Sequence, residues 1–168
     1  MDSAEKIILP NNPPFFHKEG NEKLVVFIHG LTGEHTETWT WEKSEPPFFW
    51  PEELFNDTEF AGFDVLSFGY KSDCGIAYNI IQLAQSLETT INELMGKVSY
   101  QSISFIGHSL GGLVTRQFLL DHHKELNVDS VVLLGTPNVG TKSILAKLGK
   151  TFCDNPQIKE LSDGDVID

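Results

Sequence analysis

The chain has 168 residues, enough for a single domain with a buried core, and 40% of them are hydrophobic, as in a water-soluble globular protein. Twelve Lys and Arg stand against 24 Asp and Glu, a net charge of −12. That balance argues against nucleic acid or an anionic membrane surface as the main partner, because both require clustered cations.

Residues 1–22 read as an N-terminal extension, and residues 23–168 as the folded part. Ile7-Ile8-Leu9 is too short for a signal-peptide core, no stretch approaches a membrane span, and the arginine-rich character of a transit peptide is missing. Cys74 and Cys153 form no disulfide framework or metal pattern and suit a reducing compartment. A cytoplasmic location is therefore expected, with no metal and no cofactor. Asn11-Asn12-Pro13-Pro14 is a loop that leads to the first confident strand.

Leu24-Val25-Val26-Phe27-Ile28 is a near-continuous apolar run, the pattern of a strand covered on both faces. It ends in His29-Gly30-Leu31-Thr32-Gly33. Gly33 to Pro47 is a long polar loop interrupted by Trp39 and Trp41. Pro51-Glu52-Glu53-Leu54-Phe55 starts a short helix, with proline and acids in its first turn. Phe63 to Phe68 is the next strand. Ile76, Ile80, Leu83, Leu87, Ile91 and Leu94 recur at three- and four-residue steps, so the spacing predicts an amphipathic helix over Gly75 to Met95.

Ser102 to Ile106 is a short β-branched strand, and Gly112 to Leu120 reads as a helix. Between them lies Gly107-His108-Ser109-Leu110-Gly111, a G-x-S-x-G pattern. On so sharp a strand-to-helix turn a serine is pushed into the open, and flanking glycines remove side chains that would clash with the neighbouring backbone. The pattern predicts a nucleophile elbow with Ser109 as nucleophile. A tetrahedral intermediate in acyl transfer needs preorganised N–H donors for its oxyanion. The spacing offers Leu110 as one donor and Leu31, in the loop after the earlier strand, as the other. Asp129 to Leu134 is a fourth strand. Strands alternating with helices imply a parallel sheet, with Gly30, Ser109 and Thr136 gathered at its carboxyl ends.

With these motifs the chain resembles the α/β-hydrolases, from about Lys23 to about Leu161. Val26-Phe27-Ile28-His29-Gly30-Leu31, Thr38-Trp39, Phe49-Trp50-Pro51 with Leu54, and Val65 to Tyr70 are similar to the serine-esterase and lipase-like group. That group includes serine-active-site esterases and esterase modules fused to signalling NTPases. Gly107 to Gly112 and Leu134-Gly135-Thr136-Pro137 complete the resemblance, and Asn138 departs from it where many relatives carry histidine. The resemblance implies a serine hydrolase of carboxylic or lipid esters.

A serine nucleophile needs a histidine base and an acid that orients it, following the serine along this fold. After Ser109 the histidines are His122 and His123, thirteen residues on at the far end of the elbow helix. At 1.5 Å per residue His122 lies roughly 20 Å away, too far to take a proton. His108 should point elsewhere, His29 reads as structural, and His17 and His35 precede the serine. His35 lies at the correct end of the sheet and is the one substitute base to weigh. Of the acids after Ser109 (Asp121, Asp129, Asp154, Asp163, Asp165), none follows a recognisable next strand. The expected fold is thus α/β, a partial α/β-hydrolase lacking its C-terminal strands, with downstream segments or domains in a longer protein. The competing expectation is a degenerate hydrolase module, without turnover, used for protein or ligand interaction.

Val131 to Ser143 almost spells a phosphate-binding loop, but Thr141 stands between Gly140 and Lys142. A one-residue slip swings a helical side chain by about 100°, which takes the lysine off the phosphates. Nucleotide binding is not expected there.

Overall fold

The structure, a computed structural model, describes residues 15–17, 20–71, 79–96, 98–122 and 126–137. Its strands are β1 (Phe15–His17), β2 (Lys23–Ile28), β3 (Thr40–Trp41), β4 (Phe48–Phe49), β5 (Phe63–Phe68), β6 (Ser102–His108) and β7 (Val128–Leu134). Its helices are α1 (Trp50–Asn56), α2 (Ile80–Met95) and α3 (Leu110–His122). The principal sheet runs β1-β5-β2-β6-β7, with β5, β2, β6 and β7 parallel and β1 antiparallel on the outer side of β5.

The four predicted strands and three predicted helices are all present. β1 is an addition: it lies inside the segment read as an N-terminal extension, and it pairs Phe15 with Ser67 and His17 with Val65. The loop over Gly33 to Pro47 also carries structure, a 3-10 turn at Glu37–Trp39 and strand β3, which pairs with β4 just beyond the loop. In the described residues α2 starts at Ile80, where Asn79 and Gln82 close a reciprocal capping box at 2.8 and 3.0 Å. Ile76 lies outside the described residues, as do Cys74, Cys153, His123, Lys142 and the acids from Asp154 onward.

Alternation along β2 divides the core in two. Leu24, Val26 and Ile28 face α2 and α3, meeting Leu83, Leu87, Ile91, Leu113 and Phe118. Val25 and Phe27 face α1, packing with Leu54, Val65, Ile106 and the Trp39 ring, whose centroid is 5.1 Å from that of Phe27. The helices divide in the same way. The chain leaves β2 toward β5 on one side, then crosses back over β2 to β6 and on to β7. Right-handed crossovers in opposite directions place their helices on opposite faces. Connections therefore diverge from the carboxyl ends of β2 and β6, the place where open α/β sheets form a crevice. In β7, Val131, Val132 and Leu133 are exposed.

At the amino end of the sheet, Asp64 is fully buried on β5. It accepts the Tyr100 hydroxyl at 2.9 Å and the Asn21 amide at 3.2 Å. Burial and then the adjacent Asp64 carboxylate push the Tyr100 phenol pKa up.

Candidate active site

Register brings the two glycine-bearing turns together. Ile28 pairs with Gly107, and His108 pairs with Leu134, so residues 29–31, 109–110 and 135–136 emerge side by side. Ser109 stands between β6 and α3 with φ at +51°, a left-handed conformation that a non-glycine residue adopts only when its surroundings enforce it. Its amide donates to the Leu134 carbonyl at 2.9 Å, and its carbonyl accepts the Gly112 amide at 3.1 Å. Ser109 is half-buried, and Leu110 is buried. Leu110 heads α3, so its N–H has no acceptor within the helix and sits at the positive end of the helix dipole.

The motif glycines are sites of backbone contact. A methyl group at Gly111 would overlap the carbonyl oxygens of Ile28 and His29, and one at Gly107 would lie 2.7 Å from the Gly112 Cα. A methyl at Gly30 would meet the Ser109 Cβ at 3.0 Å and the His108 Nδ1 at 3.1 Å. Gly30 thus lies directly against the serine. The turn it opens is closed by the Gly33 amide donating to the Gly30 carbonyl at 3.2 Å. Of the two central residues only Thr32 is left-handed, at φ +57°, which makes a type II turn with a β-branched residue where glycine is preferred. Leu31, at the first central position, is half-buried beside this junction.

His29 is fully buried. Its Nδ1 lies 2.9 Å from the Gly30 carbonyl, and its Nε2 lies 3.3 Å from the Tyr70 amide. A carbonyl can only accept and an amide N–H can only donate, so the ring is the neutral Nδ1–H tautomer. Burial is the main cause that lowers its pKa from 6.5 to about 4, with His35 and His108 adding to the shift against the favourable Gly30 contact. In the unfolded chain the ring protonates near 6.5, so between pH 6.5 and 4 the unfolded state holds the extra proton. The resulting stability is complete above pH 6.5 and is lost as pH falls through 4. At about 1.4 kcal/mol per pK unit this amounts to roughly 3 kcal/mol. Urea unfolding at pH 7 and pH 4 should show it, and His29→Gln should flatten that part of the pH dependence.

The other histidines stand apart from this arrangement. His108 is exposed, 6.4 Å from the Trp39 ring centroid to centroid. His122 lies at the far end of α3, where its Nε2 is 3.5 Å from Glu88 on α2. His35 is tied by its carbonyl to the Ser67 hydroxyl at 2.5 Å. Its Nδ1 is buried without a partner among the described residues, and burial lowers its pKa. Asp129 sits at the amino end of β7, opposite the serine's end of the sheet. A groove of about 630 Å³ on the α1 face is lined by Trp50, Leu54, Phe60, Ser104, Ile106 and Val132, away from Ser109. No metal-holding cluster occurs among the described residues. No described helix is long and apolar enough to cross a membrane.

A family model described as the alpha/beta hydrolase fold matches residues 23–152. The chain belongs to the α/β-hydrolase family. Among solved structures, this α/β-hydrolase-fold chain is similar to a carboxylesterase from the thaumarchaeon Nitrososphaera gargenis (20% identity, TM-score 0.53, covering 86% of this chain and 50% of that one). It is also similar to a carboxyl esterase from Bacillus coagulans (16% identity, TM-score 0.51, 78% and 41%) and an esterase from Exiguobacterium antarcticum (19% identity, TM-score 0.50, 88% and 54%). The chain therefore spans about half the length of these enzymes. A search of curated proteins found no match.

Proposed function

We propose that the protein is a serine hydrolase of carboxylic or lipid esters, working through an acyl-enzyme on Ser109. In this reading the Gly107–Gly111 turn is the nucleophile elbow, and the Leu31 and Leu110 amides receive the oxyanion. The observation that carries it is the left-handed Ser109 with Gly30 packed against its Cβ. That contact puts a second backbone turn beside the nucleophile, where donors for a developing negative charge are needed. In this reading a longer form of the protein supplies the acid and the histidine that complete the relay, since the histidines after Ser109 in this chain are His122 and His123. The protein meets its ester in the cytoplasm, without cofactor or nucleic acid.

The second reading, a degenerate module that binds without turnover, draws support from His122, whose ring faces Glu88 at the end of α3 remote from Ser109. Incubation with p-nitrophenyl butyrate followed by mass spectrometry separates the two. A mass increase of one butyryl group, located on the Ser109 peptide and missing in Ser109→Ala, is the outcome expected of the hydrolase. An unmodified Ser109 together with saturable ester binding would favour the module.

A further inference from the structure

Tyr70 touches the proposed oxyanion turn from the neighbouring strand end and is not part of the G-x-S-x-G or His-Gly patterns. β5 pairs with β2 so that Phe68 lies opposite Ile28, which delivers Tyr70 onto His29. The two rings stack with centroids 4.1 Å apart and planes 11° from parallel. The Tyr70 hydroxyl donates to the His29 carbonyl at 2.6 Å, and the Tyr70 amide donates to the His29 Nε2 at 3.3 Å. The second bond fixes the tautomer whose Nδ1–H donates to the Gly30 carbonyl at 2.9 Å. That carbonyl is the acceptor that closes the Gly30–Gly33 turn. Tyr70 therefore holds two successive peptide groups, one directly through its hydroxyl and one through the imidazole that its main-chain amide and stacked ring orient.

We infer that Tyr70 is a positioning residue for the oxyanion turn, holding the Leu31 amide toward Ser109 through the His29 ring and the His29 carbonyl. This rests on the ester-hydrolase reading above. The turn needs such a clamp because Thr32, a β-branched residue, occupies the left-handed conformation at φ +57°, so without restraint the turn relaxes. Loss of alignment at an oxyanion donor lowers the chemical step more than substrate binding.

The test pairs Tyr70→Phe with Tyr100→Phe, which removes a comparable buried hydroxyl contact at the opposite end of the sheet. Amide exchange of Gly33, followed by NMR, should accelerate at least tenfold in Tyr70→Phe and stay unchanged in Tyr100→Phe, with the α2 core amides Leu87 and Ile91 as internal reference. In wild type the His29 nitrogen shifts should report a neutral Nδ1–H ring at pH 7. The Ser109-dependent part of p-nitrophenyl acetate hydrolysis should fall about tenfold or more in kcat with KM within twofold for Tyr70→Phe, and not for Tyr100→Phe. An Nε2–H ring in wild type, an unaltered Gly33 exchange rate, or equal kcat losses in both variants overturns the inference. If a wild-type form that also carries the acid and the histidine of the relay shows no Ser109-dependent hydrolysis, the ester-hydrolase reading fails. The exchange and nitrogen-shift arms then still decide whether Tyr70 clamps the turn.

Discussion

The 168-residue chain is expected to hydrolyse p-nitrophenyl esters weakly or not at all. A form that supplies an acid and a histidine from beyond Asp168 should exceed it at least about 10³-fold in kcat, and Ser109→Ala should erase the excess. The gap follows from geometry. Among the described histidines, His29 is locked in its stack, His108 is turned toward Trp39, and His122 pairs with Glu88. None is placed to take the serine proton. What remains is the proposed oxyanion site and binding, and serine hydrolases stripped of the triad keep only about 10³–10⁴-fold acceleration over water. The comparison requires both lengths, each with and without Ser109→Ala. Equal, Ser109-dependent rates in the two lengths would defeat the missing-relay argument and make His35 the next residue to replace. Its Nδ1 is buried without a partner among the described residues, and its backbone is held by Ser67.

Gly111→Ala should destabilise the fold by roughly 3 kcal/mol or more, with a fall in Tm of about 10 °C. The added methyl would meet the carbonyl oxygens of Ile28 and His29, which are main-chain atoms of the central strand and cannot swing aside as a side chain would. Relief requires α3 to move off β2, which also opens the junction between Gly30 and Ser109. Gly96→Ala is the matched control. Gly96 caps α2 at φ −63°, and a methyl there sits 3.4 Å from the Asn92 carbonyl oxygen, an ordinary contact. It should be neutral or slightly stabilising, since alanine restricts the unfolded chain. Thermal melts of the two variants decide the matter. Similar Tm values for both would show that α3 is not wedged against β2.

Local pattern carried the parts of the fold that local physics decides. The apolar run at Leu24–Ile28 and the periodicity through Leu83, Leu87, Ile91 and Leu94 place β2 and α2 because burial on two faces or on one leaves a distinct trace. β1 left no such trace: three residues, Phe15–His17, are too few for a period and exist as a strand only because β5 offers an edge. β3 and β4 are shorter still, and what brings them together is an aromatic cluster of Phe27, Trp39 and Trp50 drawn from distant positions. In the candidate site, Gly107 to Gly111 and His29-Gly30 were readable from spacing. The stack of Tyr70 on His29 was not, because it depends on the β2–β5 register. Phe68-Gly69-Tyr70 marked the strand end, and only the alignment of Phe68 with Ile28 tells what the tyrosine touches. Asp64 hides for the same reason: within an apolar strand it looks like a surface break, and its acceptor role appears only once Tyr100 and Asn21 fold over it.

The placement of β2 between β5 and β6 has a kinetic side. Each of its two parallel pairings waits for a distant stretch of chain: β5 must arrive across α1, and β6 only after α2 has crossed back. Such pairings pay loop-closure entropy before any contact rewards them, which slows assembly relative to a fold built from local contacts. Gly30 and Ser109 meet at the end of that sequence. Excised peptides spanning residues 24–33 or 102–120 would therefore not carry the paired turns, which meet only when β2 lies beside β6.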